Sequence, residues 1–298
     1  MFPAARITDP TTHDMLVPSG IIGPPLTGPC PQGVVLIEGL PAAHLNCTVI
    51  CTGAISAGLA HPPPVPPAPP PPIIMGSTSV LIHGMPAARW TPSGDMGGCG
   101  VFLGNPMLSA LRRVFIGGPV FPLSITVLPN GNIQVGNNIT IEGDAEFQAK
   151  VLRDLHIMSN YPTGLERLNN INNDGQPVRI REGASNGCAA DNWADASAAG
   201  TPAIGGGVGT GNGSGSTITY NPDREPPTAA DPSVRRPADV GLHHELSHSE
   251  HIGRGEVDMS PDPANPNNPH VEETNTINQD NQYRTERGIP TRADHTVL

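Results

Sequence analysis

The tripeptide Pro-Ala-Ala stands at positions 3–5, 41–43 and 86–88, followed by Arg6, His44 and Arg89. Three short β-branched runs recur with it: Val34-Val35-Leu36-Ile37-Glu38-Gly39, Ser79-Val80-Leu81-Ile82-His83-Gly84 and Arg113-Val114-Phe115-Ile116-Gly117-Gly118. Each reads as a strand closed by a glycine turn. A unit this short cannot bury a core alone, so the repetition constrains the fold more than any local propensity. Residues 1–118 are predicted to form a small all-β body with pseudo-threefold repeats.

Composition bears on what fills that body. Aromatic residues are 3% of the 298, and Pro 36 and Gly 35 exceed ordinary usage, which excludes a large aromatic core and leaves the packing to small apolar residues. The proline run from His61 to Pro72 reads as polyproline II, either a ligand for an aromatic groove or a rigid connection across the body. At Gly117-Gly118-Pro119 the pattern changes, which sets the expected boundary between domains 1–118 and 119–298.

Pro-Ala-Ala-Arg at 3–6 and 86–89, the Val-Leu-Ile-x-Gly strands and Ser93-Gly94-Asp95-Met96-Gly97-Gly98-Cys99-Gly100 together resemble the PAAR-repeat proteins. Those are conical β-structures that sharpen the tip of the type VI secretion spike. The resemblance covers about the first 118 residues. It implies a conical PAAR prism docked by its base on a trimeric VgrG spike, with cargo fused behind and a zinc ion at the apex. Carried over by position, the apex ligands are His13, Cys51, His61 and Cys99, with His44 and Cys47 as rivals. Imidazole with thiolate suits a closed structural zinc site, and a small body with few aromatics needs such a staple.

Beyond residue 118, Ile125-Thr126-Val127-Leu128 and Ile133-Gln134-Val135 flank Asn130-Gly131, a hairpin signal, and Ile139-Thr140-Ile141 continues the sheet. Phe147, Val151 and Leu155 predict an amphipathic helix over about 145–158 packed on that sheet. Leu165 and Leu168 mark a second helix, and Val178-Arg179-Ile180 a strand. From 184 to 237, Gly, Ser, Ala, Asn and Pro predict largely flexible loop, with no strand-loop-helix frame to make the glycines a phosphate cradle. Within it, Ser216-Thr217-Ile218-Thr219-Tyr220 reads as an edge strand, able to align a substrate backbone by strand addition.

The chemistry concentrates in Gly241-Leu242-His243-His244-Glu245-Leu246-Ser247-His248. Residues four apart share a helix face, so His244 and His248 can direct two imidazoles at one ion, with Glu245 beside them as base. Ordinary helices with surface histidines also carry His-Glu-x-x-His. Here Leu242 and Leu246 anchor the helix, Pro237, Ala238 and Asp239 start it, and Gly253 and Gly255 end it. Downstream, Glu272 and Glu273 open a second helix, and either carboxylate could complete a His₂Glu ligand set.

The span 120–298 resembles the NleD-like effector metallopeptidases through these elements, Ile277, Asn281 and Arg284, and the tail Glu286-Arg287-Gly288-Ile289-Pro290-Thr291-Arg292. The resemblance implies an α+β zincin-like endopeptidase. Its catalytic zinc would lie on His244, His248 and Glu273, with Glu272 in reserve and Glu245 as general base. Relatives often carry Tyr where this chain has His295, so oxyanion stabilisation falls to His295, Tyr283 or neither. His243, His251 and His270 are read as solvent-facing or supporting residues, and Cys188 as buried.

A formal charge of -11 argues against a nucleic-acid partner, and the absence of an 18-residue apolar run predicts no membrane span. Five irregularly spaced cysteines and an opening without a basic n-region predict folding in a reducing cytoplasm; the PAAR resemblance implies that this cytoplasm is bacterial and that the type VI apparatus then secretes the protein into a target cell. The combined expectation is an effector with two zinc ions, one structural and one catalytic, cleaving a protein substrate, with an immunity protein as a further candidate partner. The alternatives are a structural tip with an adaptor or inactive extension, and a zinc hydrolase acting on a non-peptide bond or a cell-wall amide.

Overall fold

The computed structural model of the chain describes residues 2–13, 18–26, 34–51, 70–90, 95, 97, 102–103, 111–118, 121–228, 231 and 233–294. Two compact units emerge, Met1–Gly131 with Asp144–Ile157, and Asn132–Gly143 with Met158–Leu298. Among the described residues, no helix is long and apolar enough to cross a membrane.

The first unit contains β1 (Phe2–Pro3), β2 (Pro10–Thr12), β3 (Pro18–Pro25), β4 (Leu36–Ile37), β5 (Leu40–Pro41), β6 (Cys47–Cys51), β7 (Leu81–Ile82), β8 (Met85–Pro86), β9 (Phe102–Leu103), β10 (Phe115–Ile116) and β11 (Ile125–Val127). β4–β5 and β7–β8 are antiparallel hairpins. Their turns place Glu38 and Gly39, and His83 and Gly84, at positive φ, the geometry that matches the twist of paired strands. The third strand, β10, finds its partner in β1, far earlier in the sequence.

Three tails close a ring. Ala43 N–H donates to Ala5 O, Ala5 N–H to Ala88 O and Ala88 N–H to Ala43 O, at 3.0, 3.0 and 2.9 Å. A side chain larger than alanine would crowd this junction. Around it, Ala4, Ala42 and Ala87 pack with Ile37, Ile82 and Ile116, one pair from each repeat. A four-stranded antiparallel sheet, ordered β6-β3-β2-β9, completes the strand pairing here. The buried Arg89 guanidinium bonds Asp95 and the carbonyls of Gly117 and Gly118.

Helix α1 (Ala145–Met158) groups with this first unit along nearly its whole length. Gln148 donates to Gly131 O, and His156 stacks on Phe121 with ring centroids 4.3 Å apart. Burial pushes His156 down to about 4, so its imidazole is neutral, with Nδ1–H donated to Leu152 O.

The second unit has β12 (Ile133–Val135), β13 (Ile139–Glu142), helix α2 (Pro162–Asp174), β14 (Val178–Glu182), β15 (Gly187–Ala190), helix α3 (Trp193–Ala196), β16 (Ser216–Tyr220), helix α4 (Ala238–Arg254) and helix α5 (Val271–Glu286). Its strands run β12-β13-β14-β16-β15, mixed in direction: β13, β14 and β16 are parallel, and β12 and β15 antiparallel to their neighbours. The span 184–237 therefore holds two strands, a helix and a bonded hairpin where composition suggests loop. Ser216–Tyr220 is also interior. The edge belongs to β15, whose Gly-Cys-Ala-Ala lacks the β-branched signature but pairs with β16 from Gly187↔Thr219 to Ala190↔Ser216.

α4 packs against β15, β16, α2, α3 and α5 and is buried at most positions. It ends at Gly255, in the left-handed region at φ 67, where the close approach of Gly211 leaves no room for a Cβ.

Candidate metal centre

α4 and α5 build the site between them. Seven residues, two turns of α4, carry His244, His248 and His251 onto the face that meets the first turn of α5. There, ligand atoms of His244, His248 and Glu273 all lie within 4.8 Å of one another. Glu273 Oε1 is 3.5 Å from His244 Nε2, and its Oε2 is 3.4 Å from His248 Nε2. The two imidazoles stand nearly perpendicular at 4.8 Å.

The neighbouring carboxylate takes another part. Glu272 Oε1 accepts from His248 Nδ1 at 2.7 Å, from His251 Nδ1 at 2.9 Å and from Thr276 Oγ1 at 3.1 Å. With Nδ1–H tied to Glu272, His248 turns Nε2 toward Glu273. Arg167 in turn fixes Gln279 by donating to its Oε1 at 2.6 Å, and the Gln279 amide donates to His251 Nε2 at 3.0 Å. His251 is left with its proton on Nδ1, pointing at Glu272. Glu272 thus orients His248, and Glu273 is the carboxylate that stands with the two imidazoles in the candidate ligand set.

Electrostatics suit a cation. Burial alone would lower His248, but hydrogen bonds to Glu272 and Glu273 outweigh it and raise the imidazole to about 10. Burial likewise opposes ionisation of Glu272, yet His248 and His251 hold it down at about 2. His244, buried and next to a charged His248, is pushed well below its ordinary range and stays neutral. Burial raises Glu245 to about 7, against the pull of His248. Two imidazole nitrogens and a carboxylate are a donor set that fits zinc. One displacement is required: Arg292 Nη2 lies 2.8 Å from His244 Nδ1 and 3.8 Å from Glu273 Oε1, against the ligands themselves.

A cavity of about 240 Å³ opens over these groups, with His244, Glu245, His248 and Glu273 on one side and Asn186, Gly187 and Cys188 of the β15 edge on another. His270 also lines it. Cys188 Sγ is 3.4 Å from Ser249 Oγ, and burial pushes its thiol up to about 12.

Tyr283 is not brought to this cavity. Its ring stacks on His243 at 4.3 Å and its hydroxyl donates to Asp239 Oδ2 at 2.6 Å, where Arg287 also binds through both carboxylate oxygens. The spacing on α5 explains this: ten residues separate Tyr283 from Glu273, and the intervening Ile277 and Asp280 are buried too. His243 is fully buried, Nδ1 3.5 Å from Asp280. His295, His61 and Cys99 lie outside the described residues. Of the expected apex ligands, His13 Nε2 and Cys51 Sγ come within 3.8 Å of each other. Of the rivals, His44 Nδ1 is 2.6 Å from Leu45 O, and Cys47 Sγ accepts from His44 N.

Sequence reasoning missed Arg292, Gln279, Thr276 and the β15 edge. Thr276 and Gln279, four and seven residues after Glu272, share its helix face and were discoverable by that period. Arg292 was not, because it is placed by tertiary hydrogen bonds: its N–H donates to Asn281 Oδ1 and its carbonyl accepts from Asn281 Nδ2, at 2.9 and 2.8 Å.

This arrangement is that of a two-helix His-His-Glu centre beneath a mixed sheet. Residues 136–274 match the family model Peptidase_M91, described as "Effector protein". No curated protein matches the chain. The catalytic domain of Clostridium botulinum neurotoxin serotype F is a solved structure with 11% identity, covering 61% of this chain and 73% of its own, at a TM-score of 0.34. A superposition that loose carries nothing over to this site.

Proposed function

We propose that the second unit is a zinc-dependent endopeptidase that cleaves a protein in a target cell, and that the first unit is the PAAR spike tip that carries it. The convergence of His244, His248 and Glu273 beside Glu245 is the observation that supports the first part most. The matched family's name, a peptidase described as an effector, agrees with it.

When bound, zinc supplies a Lewis acid and a water of lowered pKa. The chain does the rest. Glu245 takes the proton of the attacking water and returns it to the leaving amine. Glu272 holds the Nδ1–H of His248, so Nε2 is the nitrogen that would give up its proton to a bound metal. Arg292, whose Nη2 lies 2.8 Å from His244 Nδ1, adds a positive charge next to the ligand set that would favour a developing oxyanion. The exposed edge of β15 offers backbone groups to an extended substrate, the role that the sequence pattern assigns to Ser216–Tyr220, which is an interior strand.

For the first unit, the supporting observation is the ring of alanine hydrogen bonds with Leu36, Leu81 and Phe115 exposed at equivalent strand positions. Three equivalent apolar residues suit the end of a trimeric VgrG spike, and His13 with Cys51 suit half of a structural zinc site. Secretion by the type VI route follows from this reading.

In the full chain, His244→Ala should lose one bound zinc, while Glu245→Gln keeps it and loses cleavage of target-cell proteins in a proteomic comparison. Zinc content unchanged by His244→Ala, or cleavage undiminished in Glu245→Gln, refutes the peptidase.

A further inference from the structure

The cavity over the metal centre has a second half, and it is apolar. Trp193, Ile204, Ile252, Val257 and Met259 line it, in the same cavity as Glu245, His244 and His248. Ile252 and Val257 are buried with Ala196 in one cluster, against which Trp193, Met259 and Cys188 pack. Among the described residues, this wall carries no charged side chain, and Cys188 beside it is held as a neutral thiol bonded toward Ser249.

Ile204 is different. It is 42% exposed, at the tip of a hairpin whose stem is closed by Gly200 N–H to Gly209 O and Gly209 N–H to Thr201 O, at 3.1 and 2.8 Å. The hairpin base is fixed on α3 through Thr210 N–H to Ala194 O and Gly213 N–H to Asp195 O, both 2.8 Å. Its tip turns through Gly205, Gly206 and Gly207 at φ 84, 94 and 99, values that β-carbon-bearing residues avoid. The hydrogen-bonded stem therefore brings the half-exposed Ile204 side chain into the lining of the cavity. Leaving it there in water costs stability unless something apolar covers it.

We propose that this half of the cavity is the side-chain subsite of the peptidase, and that its substrate carries a large apolar residue next to the scissile bond, gripped between Ile204, Trp193 and Met259. The inference rests on the metallopeptidase reading of the site. A charged side chain would lose its hydration against this wall with no partner in return. A small one would leave Ile204 uncovered. The volume of about 240 Å³ admits one such side chain beside the ligand groups.

The test uses the zinc-loaded full chain and three probes that bind through one hydroxamate group: acetohydroxamate, and hydroxamates carrying an isobutyl or a carboxymethyl side chain. Calorimetry gives each Kd. The isobutyl probe should bind roughly 50-fold tighter than acetohydroxamate, from about fourfold per buried methylene, and the carboxymethyl probe no tighter. Ile204→Ser and Trp193→Ala should each pull the isobutyl preference toward unity while zinc content stays unchanged. Equal affinity for all three probes, or an isobutyl preference untouched by both substitutions, overturns the subsite. Failure of acetohydroxamate itself to bind, with zinc absent from the centre, overturns the metallopeptidase reading and this inference with it.

Discussion

Tyr283→Phe separates the two parts that a tyrosine on α5 could play. An oxyanion donor would touch substrate, and its loss would cost turnover by orders of magnitude with little effect on folding. The structure instead gives Tyr283 a buried hydroxyl donating to Asp239 Oδ2 at 2.6 Å, beside two bonds from Arg287 at 2.8 and 3.0 Å. Burial, with Asp239 close by, pushes the phenol well above its ordinary range, so it remains a donor. A hydrogen bond to a charged acceptor contributes about 1.5–3 kcal/mol. In the variant Asp239 keeps the Arg287 fork and the phenyl ring keeps its stacking on His243, so the low end applies, about 1.5 kcal/mol. At about 2–4 °C per kcal/mol for a body of this size, the second unit should melt roughly 3–6 °C lower. Zinc affinity, read by competition with a chelating indicator, and hydrolysis per folded molecule should stay within about twofold. A tenfold loss of either, with Tm unmoved, would refute this placement of Tyr283.

Three further outcomes are expected. Glu272→Gln removes the acceptor that orients His248, so zinc affinity should fall about 10–100-fold, whereas a mere helix-start acid would leave a chelator titration unchanged. Arg89→Ala strands the buried Asp95 carboxylate and should destabilise the first unit by about 3–5 kcal/mol; Asp95→Asn in the same chain should recover part of that loss in urea denaturation. His156, lowered from 6.5 to about 4 by burial, binds its proton more readily when unfolded. Its contribution, roughly 3 kcal/mol, is complete above pH 6.5 and is lost as pH falls through about 4. His156→Leu should therefore flatten the acid side of the first unit's stability profile, and an unaltered profile would count against a neutral buried imidazole.

Repetition made the first unit legible. Three Pro-Ala-Ala tails and three strands imply a threefold junction because each small unit must bury its face on the others, and the alanine ring is that junction in hydrogen bonds. The circular closure by β1 and β10 was less accessible, since no local signal says that residue 2 pairs with residue 116. In the second unit the long helices followed from capping residues and period. β15 did not, because Gly-Cys-Ala-Ala owes its extended form to ladder bonds with β16 and to nothing in its own side chains. The same strand displaced Ser216–Tyr220 from the edge, so one weak strand altered which backbone a substrate could meet.

The two glutamates mark where the sequence stops and packing begins. Successive residues on a helix point about 100° apart, so Glu272 and Glu273 could not both reach one ion, but nothing in the order Glu-Glu says which does. The choice is made by the rotation of α5 on α4. Toward the C-terminus of α5 and the N-terminus of α4, where Asp280 and Tyr283 meet His243 and Asp239, buried contacts help hold that rotation. With the buried contacts there satisfied, Glu272 falls opposite the Nδ1 atoms of His248 and His251, and Glu273 falls between the Nε2 atoms of His244 and His248. Tyr283, named beside His295 for oxyanion stabilisation, thus bears on the candidate metal centre only through position: its ring and hydroxyl sit against His243 and Asp239, ten residues along α5 from Glu273.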